Sequence, residues 1–250
     1  MKYKINIIDY TNGKYKEFLL KNWNIQQNYH TEFSLIIHEH RIELKNNANK
    51  NIKNIWIDFN HKKMKSYQDD SKIKIIKAIG IKKKPFLNVI DATAGLGKDS
   101  FMMFSYGCTI TMIENNPILS ILIYDGLKRS YNDPIIGNII KKKMKHINHS
   151  SINIQSLNLQ KPDVIYLDPM FPRKKKKSLP KKHMNTIQNL VKKDSDTQLL
   201  FNACKNFAKN RIVVKRKKNF KIISKNKPNY MIYSKKYRFD VYLIHKNLKS

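Results

Sequence analysis

The sequence predicts an α/β fold in which an open, twisted sheet is covered by helices on both faces and is preceded by a small β-rich lobe. From Pro85 onward, short apolar and β-branched runs alternate with helical patterns, and this alternation is typical of a mostly parallel sheet. Before about residue 75, the apolar residues follow strand-like alternation instead. We therefore expect a lobe over residues 1–75 and a larger domain over residues 76–250.

The N-terminal lobe is described by three local patterns. Residues 33–44 can form two short strands joined by a turn, and residues 54–59 alternate in the manner of another strand. Asp70 or Ser71 can then cap a helix that ends at Gly80. The lobe is therefore expected to be mostly β, with one helix leading into the larger domain.

The larger domain repeats a strand, a loop and a helix. Its strands are short and rich in Ile, Val and Leu, as buried strands of parallel sheets are. Asn116 precedes Pro117, which is the favoured order of a helix cap and a first helical residue. The predicted strands are residues 87–90, 108–113, 144–148, 163–167, 211–215 and 238–244, and the predicted helices are residues 98–106 and a helix that starts at residue 117.

The net charge of the chain is extreme, at +32, because 50 Lys and Arg face only 18 Asp and Glu. One interpretation is a polyanionic partner, most simply a nucleic acid. The other is compositional drift, since Lys, Asn and Ile crowd the sequence and lysines would then spread over every solvated face. Drift explains much of the lysine content but less of the deficit of acids.

Other bulk features argue against several classes of protein. A run of about 18 apolar residues is missing, so a transmembrane helix is not expected. The N-terminus lacks the apolar stretch of a signal peptide, and the two cysteines, Cys108 and Cys204, fit a reducing, cytosolic setting. His38 and His40 flank Glu39, but strand alternation explains them better than a metal site, so no metal is expected.

Residues 91–99 carry the pattern of a ligand-binding turn between a strand and a helix. Gly95 and Gly97 let the backbone approach a ligand closely, although a tight turn without a ligand has the same pattern. Glu114 ends the next strand, where a carboxylate can accept hydrogen bonds from ribose hydroxyls. Ser100 replaces the third glycine of dinucleotide-binding turns, which disfavours NAD and favours S-adenosylmethionine.

Residues 168–172 form a second motif, which also follows the end of a strand. An exocyclic base amine is a poor nucleophile because its lone pair is delocalised into the ring, and both Asp168 and the backbone carbonyl of Pro169 can accept its hydrogens. Phe171 can stack on the base, a contact worth roughly 1–3 kcal/mol. A proline-rich loop with Asp168 as an ordinary cap is the alternative. Together, the two motifs favour methyl transfer from S-adenosylmethionine to a base amine.

A basic block directly follows the second motif. Its position suits phosphates that flank a target base. Other lysine runs, at residues 141–143, 192–193 and 215–218, are better explained one at a time as solvated side chains. The predicted RNA-binding residues are Arg173, Lys174, Lys175, Lys176 and Lys177.

The chain resembles the RsmJ family of methyltransferases over roughly residues 78–245. The segment Leu-Asp-Pro-Met-Phe-Pro at residues 167–172 is the most family-specific part, while the N-terminal lobe matches only loosely. The family usually has a Gly- and Arg-rich stretch before the first helix of the catalytic domain, and residues 64–71 depart from it. The segments that carry the resemblance are residues 91–99, 114–117, 125–127, 150–151, 166–172, 213–216 and 238–240.

The resemblance implies a Rossmann-like class I methyltransferase sheet of seven mostly parallel strands. It also implies S-adenosylmethionine as the cofactor and 16S ribosomal RNA of the small subunit as the partner, with methylation at N2 of a guanine. The cofactor contacts that it implies are Lys98, Asp99, Glu114, Asn115, Ser150, Ser151 and Asp168.

We therefore expect a cytoplasmic guanine-N2 methyltransferase in which Asp168, Pro169 and Phe171 are catalytic. Two other functions stay open. The loop at Asp168 also suits methylation of adenine N6 or of a protein glutamine, although Met170 replaces the second proline of those loops. A non-catalytic RNA-binding factor for ribosome assembly is the other alternative.

Overall fold

A computed structural model of the chain describes residues 2–62, 70–81, 86–169, 197–224 and 226–244. Its elements form two sheets with helices around them. The strands are β1 (Tyr3–Asp9), β2 (Ile25–Gln27), β3 (Phe33–Ile37), β4 (Ile42–Asn46), β5 (Asn88–Asp91), β6 (Thr109–Glu114), β7 (Met144–Asn148), β8 (Val164–Leu167), β9 (Arg211–Lys217), β10 (Tyr230–Tyr233) and β11 (Tyr237–Leu243). The helices are α1 (Lys14–Asn22), α2 (Asp70–Ile79), α3 (Lys98–Ser105), α4 (Pro117–Ser130), α5 (Gly137–Lys143), a 3₁₀ helix (Ser151–Leu157) and α6 (Thr197–Phe207).

The larger sheet confirms the predicted seven-stranded, mostly parallel architecture. Its strand order is β10-β11-β9-β8-β5-β6-β7. The five strands from β9 to β7 are parallel, whereas β11 runs antiparallel to both β9 and β10. Chain order reverses between β5 and β8, and ligands of such sheets bind where the strands end at this point. The loops after β5 and β8 contain the two sequence motifs.

The N-terminal lobe is a four-stranded sheet of order β2-β1-β3-β4 with helix α1. The predicted strand pair within residues 33–44 is confirmed as β3 and β4, which pair antiparallel. Helix α2 is likewise confirmed, and it ends before Gly80, which has a φ of 82°. Neither β1, β2 nor α1 is predicted by the sequence.

The predicted strand at residues 54–59 is wrong. Only Ile55 pairs with the sheet, through a single antiparallel bridge to Leu44. Alternating burial of Ile55, Ile57 and Phe59 is real, but the last two side chains lie against Gly126 and Gly97 of the larger domain. The alternation of apolar and polar residues at 54–59 therefore comes from a connecting segment with one buried face. Burial of one face against any neighbour produces the same sequence pattern as a strand.

The lobe and the larger domain share a core. One cluster of buried side chains includes Ile5 and Leu35 from the lobe together with Ile118 and Leu122 from α4. Polar contacts also cross between the two parts, since the Trp23 indole Nε1 donates to Ser120 Oγ at 2.9 Å. The predicted division near residue 75 therefore separates two sheets whose apolar faces are joined, and it stays a prediction.

Within the described part of the chain, each helix is too short or too polar to cross a lipid bilayer.

Candidate active site

The two sequence motifs meet at the carboxyl edge of the larger sheet. Strands β5 and β8 are parallel neighbours, and Asp91 pairs with Tyr166. Just beyond the last paired residues, the backbone N–H of Asp168 donates to Thr93 Oγ1 at 2.6 Å. This hydrogen bond joins the loop of the first motif directly to the loop of the second.

The two glycines of the first motif serve different purposes. Both have left-handed backbone, with φ of 58° at Gly95 and 68° at Gly97. A Cβ on Gly97 would lie 2.8 Å from Phe59 Cζ, whereas a Cβ on Gly95 would meet nothing nearer than the Thr93 carbonyl at 3.9 Å. Gly97 is therefore required by packing against Phe59, and Gly95 leaves a backbone surface that a ligand can approach.

Glu114 ties the first motif to the end of strand β6. One carboxylate oxygen accepts from the Gly95 N–H and the other from the Asn116 N–H, each at 2.7 Å. The residue is only 8% exposed. Each carboxylate oxygen can accept more than one hydrogen bond, so these two amides orient the group without exhausting it. Glu114 can therefore also receive ligand hydroxyls.

Lys215 on β9 lies between Asp99 at the start of α3 and Asp168 in the loop after β8. Its Nζ is 2.8 Å from Asp99 Oδ2 and 2.9 Å from Asp168 Oδ2. The Tyr166 hydroxyl donates to the same Asp99 oxygen at 2.7 Å. The Asp168 side chain is 37% exposed and that of Lys215 only 16%. Among the described residues, nothing bonds to Asp168 Oδ1, so this oxygen can accept an incoming N–H.

Burial and charge both act on these groups. Burial raises the pKa of the Asp91 carboxyl to about 7, although a hydrogen bond from Ser100 opposes the shift. Burial also raises the pKa of Asp168, against the opposing effect of Lys215. For Lys215, burial alone would lower the pKa, but Asp168 and Asp99 outweigh it and the pKa rises. Lys215 is therefore protonated and neutralises only part of the surrounding acidic charge.

The remaining predicted site residues occupy varied positions. Lys98 and Asn115 are exposed beside the motif loops, and Pro169 is buried. Ser150 precedes the 3₁₀ helix, whereas the Ser151 hydroxyl donates to the Ala92 carbonyl at 2.7 Å, next to the first motif. The predicted residues outside the described part of the chain are Phe171, Arg173, Lys174, Lys175, Lys176 and Lys177.

Sequence reasoning missed the residues that connect the two motifs. Thr93 and Tyr166 lie inside the motif-bearing segments, but their sequence positions do not reveal which partner each bonds. The sequence did offer a signal for Lys215. It directly follows the apolar run Ile-Val-Val in a predicted buried strand, where a lysine is unusual unless a carboxylate lies near. It belongs to the 213–216 segment that carries the family resemblance, without an assigned role.

Comparison with known proteins shows the family of the chain. Residues 18–244 match the family model described as a putative SAM-dependent methyltransferase. A ribosomal RNA small subunit methyltransferase J from Buchnera aphidicola subsp. Schizaphis graminum is 39% identical, over 95% of this chain and 96% of its own. The chain belongs to the RsmJ family. A second RsmJ, from Aeromonas salmonicida, is 36% identical over 88% of this chain and 90% of its own.

A solved structure extends the likeness over the whole RsmJ fold. The SAM-dependent methyltransferase from Neisseria gonorrhoeae has a TM-score of 0.75 and 26% identity, and the match covers 97% of this chain and 96% of that one. The coverage includes the N-terminal lobe, which the sequence motifs matched only loosely. The lobe is therefore shared with that protein rather than peculiar to this chain.

The RsmJ site fits S-adenosylmethionine, the cofactor of this family. The cofactor has two cationic groups, a sulfonium and an ammonium, and its ribose has hydroxyl groups that donate hydrogen bonds. Although the chain has a net charge of +32, four of its 18 acidic residues lie together at this carboxyl edge of the larger sheet. Acidic residues attract cations. Beside them, Gly95 offers open backbone. The four acids are Asp91, Asp99, Glu114 and Asp168.

Proposed function

We propose that this RsmJ protein transfers a methyl group from S-adenosylmethionine to the exocyclic N2 of a guanine in 16S ribosomal RNA. Family membership makes it a SAM-dependent methyltransferase of small-subunit ribosomal RNA. The finer assignment to N2 of guanine rests on the family resemblance. That the site receives an amine rests chiefly on one observation: one Asp168 carboxylate oxygen is held by Lys215, and the other has no partner among the described residues. We also propose the cytoplasm as its location, where small-subunit RNA is found.

Asp168 is proposed to make the base amine nucleophilic. Lys215 holds Oδ2, and the Thr93 hydroxyl accepts the Asp168 backbone N–H, so Oδ1 has a defined direction. When Oδ1 and the Pro169 carbonyl accept the two amine hydrogens, the nitrogen lone pair is drawn out of conjugation with the ring. Phe171 is proposed to stack on the base, which is extruded from its helix.

The transfer then needs no covalent enzyme intermediate. Bound S-adenosylmethionine supplies an electrophilic methyl group. The amine nitrogen, held by Asp168 and Pro169, would take this methyl group as it leaves the sulfur, and Asp168 would accept the surplus amine proton and pass it to water. Protein groups therefore contribute orientation, hydrogen-bond acceptance and a proton path.

The cofactor contacts are proposed around the same edge. Glu114 receives the ribose hydroxyls, and Gly95 provides backbone contact. Asp99 orients the methionine end, since Lys215 and Tyr166 fix its carboxylate. The other proposed contacts are Gly97, Asn115 and Ser150 in the loops after β5, β6 and β7, together with Lys98 and Ser151, which are the first residues of α3 and of the 3₁₀ helix.

Asp168→Asn tests the proposed role of the carboxylate. An amide accepts hydrogen bonds less strongly than a carboxylate and cannot take the proton, so we expect methyl transfer to slow by about 10²–10³-fold. The assay supplies unmodified small-subunit particles and S-adenosylmethionine, and mass analysis of the digested RNA identifies the product. Glu39→Gln, on an exposed turn of the lobe, removes the same charge as a matched control and should leave the rate unchanged.

The product also decides between the functions. N2-methylguanosine is the expected nucleoside. N6-methyladenosine, or methylation of a protein glutamine, would show that the proposed target is wrong. A protein that neither binds S-adenosylmethionine in calorimetry nor modifies RNA would instead be a non-catalytic assembly factor.

A further inference from the structure

A basic and aromatic surface adjoins the candidate active site and is not explained by the proposed chemistry. Residues 211–239 contain eleven Lys and Arg and no Asp or Glu. In the fold, this stretch supplies β9 and β10, the first residues of β11, and the turns between them. We call six of its exposed residues the lysine platform: Lys217, Lys218, Lys221, Tyr233, Lys235 and Lys236.

The lysine platform lies at the same edge of the sheet as Asp168. Strands β8 and β9 are parallel, and the pairing of Leu167 with Val214 sets Asp168 beside Lys215. Lys217 is two residues further along β9 and pairs with Tyr237 at the start of β11. The Lys215 Nζ also lies 5.1 Å from the centre of the Tyr237 ring. The platform therefore begins directly beside the proposed reacting group.

Buried arginines hold the lysine-bearing turns in place. Arg238 is 6% exposed, and its Nη1 donates to the Lys218 carbonyl at 2.7 Å. Its Nε and Nη2 donate to the fully buried Asp240 at 2.7 and 3.2 Å. Arg216, also 6% exposed, donates to the Lys221 carbonyl. Burying guanidinium groups is costly, and here these groups fix the backbone that presents lysines to solvent.

The two turns are also joined to each other, so the platform is one unit. The Lys218 N–H donates to the Lys236 carbonyl at 3.4 Å, and the Ser234 N–H donates to the Tyr237 carbonyl at 2.8 Å. Tyr233, at the end of β10, is 49% exposed. A fixed set of cations beside an exposed ring differs from lysines scattered over a solvated surface.

We propose that the lysine platform binds the RNA strand that flanks the target nucleotide, with phosphates on its lysines and a base stacked on Tyr233. This inference rests on the proposed function, because it assumes that the polyanion is the substrate. Positive charge without acids suits a phosphate backbone, and an exposed ring adds stacking that tolerates any base. The acidic edge receives the cationic cofactor, and the platform next to it receives the polyanion.

The first test compares two triple variants that remove equal charge. Lys218→Gln/Lys235→Gln/Lys236→Gln alters the platform, whereas Lys161→Gln/Lys205→Gln/Lys209→Gln alters three exposed lysines at the opposite edge of the sheet. Binding of unmodified 16S ribosomal RNA is measured from low to high salt. Each lost phosphate contact lowers the slope of log affinity against log salt by about 0.7–0.9, so we expect a decrease of about 2 for the platform variant. The control variant should keep the wild-type slope.

Steady-state kinetics supply a second measurement. We expect the platform variant to raise KM for RNA about tenfold while kcat and the KM for S-adenosylmethionine stay at wild-type values. Tyr233→Ala should raise the same KM about fivefold or more, and Tyr233→Phe, which keeps the ring, should not.

Three outcomes would overturn the inference: equal slopes in both triple variants, unchanged RNA binding in the platform variant, or weaker binding of assembled particles with unchanged binding of free RNA. The last result would indicate a ribosomal protein as the partner. These results are distinct from failure of the proposed function, which would appear as absence of methylated guanine with the wild-type protein.

Discussion

Lys215 determines how the acidic edge of this protein behaves. Its ammonium contacts both Asp99 and Asp168, which otherwise would face each other without a cation. Like charges at short range raise each other's pKa, and burial adds to this effect. Lys215 thus acts on the proposed reaction through Asp168, and we regard it as a positioning residue.

Lys215→Met, which keeps length and removes charge, is expected to shift the pH dependence of methyl transfer. Without the ammonium, the pKa of Asp168 rises further above its usual value, and ionised Asp168 is present only at higher pH. The acidic limb of the kcat profile should therefore move to higher pH, and kcat at neutral pH should fall about tenfold or more. Rates measured from pH 5 to 9 give both quantities.

Two controls separate charge from folding in that experiment. Lys205→Met on the exposed face of α6 should leave the profile unchanged. Lys215→Arg keeps a cation, so the acidic limb of its kcat profile should lie at the wild-type pH even if its maximal rate is lower. An acidic limb that stays in place in Lys215→Met would mean that Lys215 only stabilises the fold.

At the scale of elements, the loop between β5 and α3 is shaped by two different constraints. Gly97 is the last residue before α3, and Phe59 from the segment after the lobe lies against it. Gly95 has a similar φ but open space around it. The same residue type therefore serves packing at one position and ligand access at the other.

Gly97→Ala should destabilise the protein more than Gly95→Ala. Both substitutions place a side chain on left-handed backbone, at a cost of about 1 kcal/mol, but only the methyl group added at position 97 would also clash with Phe59. Overpacking typically adds about 1–3 kcal/mol. Denaturant titration measures the free energy of unfolding of both variants. Phe59→Leu in the Gly97→Ala background should recover part of the lost stability.

Gly95→Ala provides the converse result. Its free energy of unfolding should change by only about 1 kcal/mol, while its affinity for S-adenosylmethionine falls. Equal losses of stability at the two glycines would contradict the distinction between them.

For the whole molecule, the two sheets are expected to unfold together. A single cluster of buried side chains spans the lobe and the larger domain, and Trp23 bonds to Ser120 of α4. Cores that are continuous in this way usually unfold cooperatively. The N-terminal lobe therefore serves as part of the same folding unit as the candidate active site.

Tryptophan fluorescence can test this prediction, because both tryptophans of the chain, Trp23 and Trp56, belong to the N-terminal region. In urea titrations, fluorescence reports that region, and far-UV circular dichroism reports both sheets and the helices. We expect the two midpoints to coincide. An earlier fluorescence midpoint would show that the lobe unfolds by itself, in support of a domain boundary near residue 75.

The sequence by itself determined the fold class, most strands of the larger sheet, the caps around Asn116 and Gly80, and the two motif loops. These features depend on short-range patterns, because apolar periodicity, caps and turns are set by residues close together in the chain. It also identified the RsmJ resemblance, which the comparisons confirm. It failed at residues 54–59, where burial on the larger domain imitates a strand. It also missed β1, β2 and α1 of the lobe and the edge strand β10, whose residues are exposed or half-buried.

Only the tertiary structure decided which residues act together. Lys215 is far from Asp99 and Asp168 in sequence, and the parallel pairing of β8 with both β9 and β5 brings the three side chains within 3 Å. The lysines at residues 215–218, which the sequence alone explained best as solvated side chains, separate into a largely buried cation beside Asp168 and the beginning of the platform. Strand pairing and side-chain direction are long-range consequences of folding, so residue composition alone cannot show them.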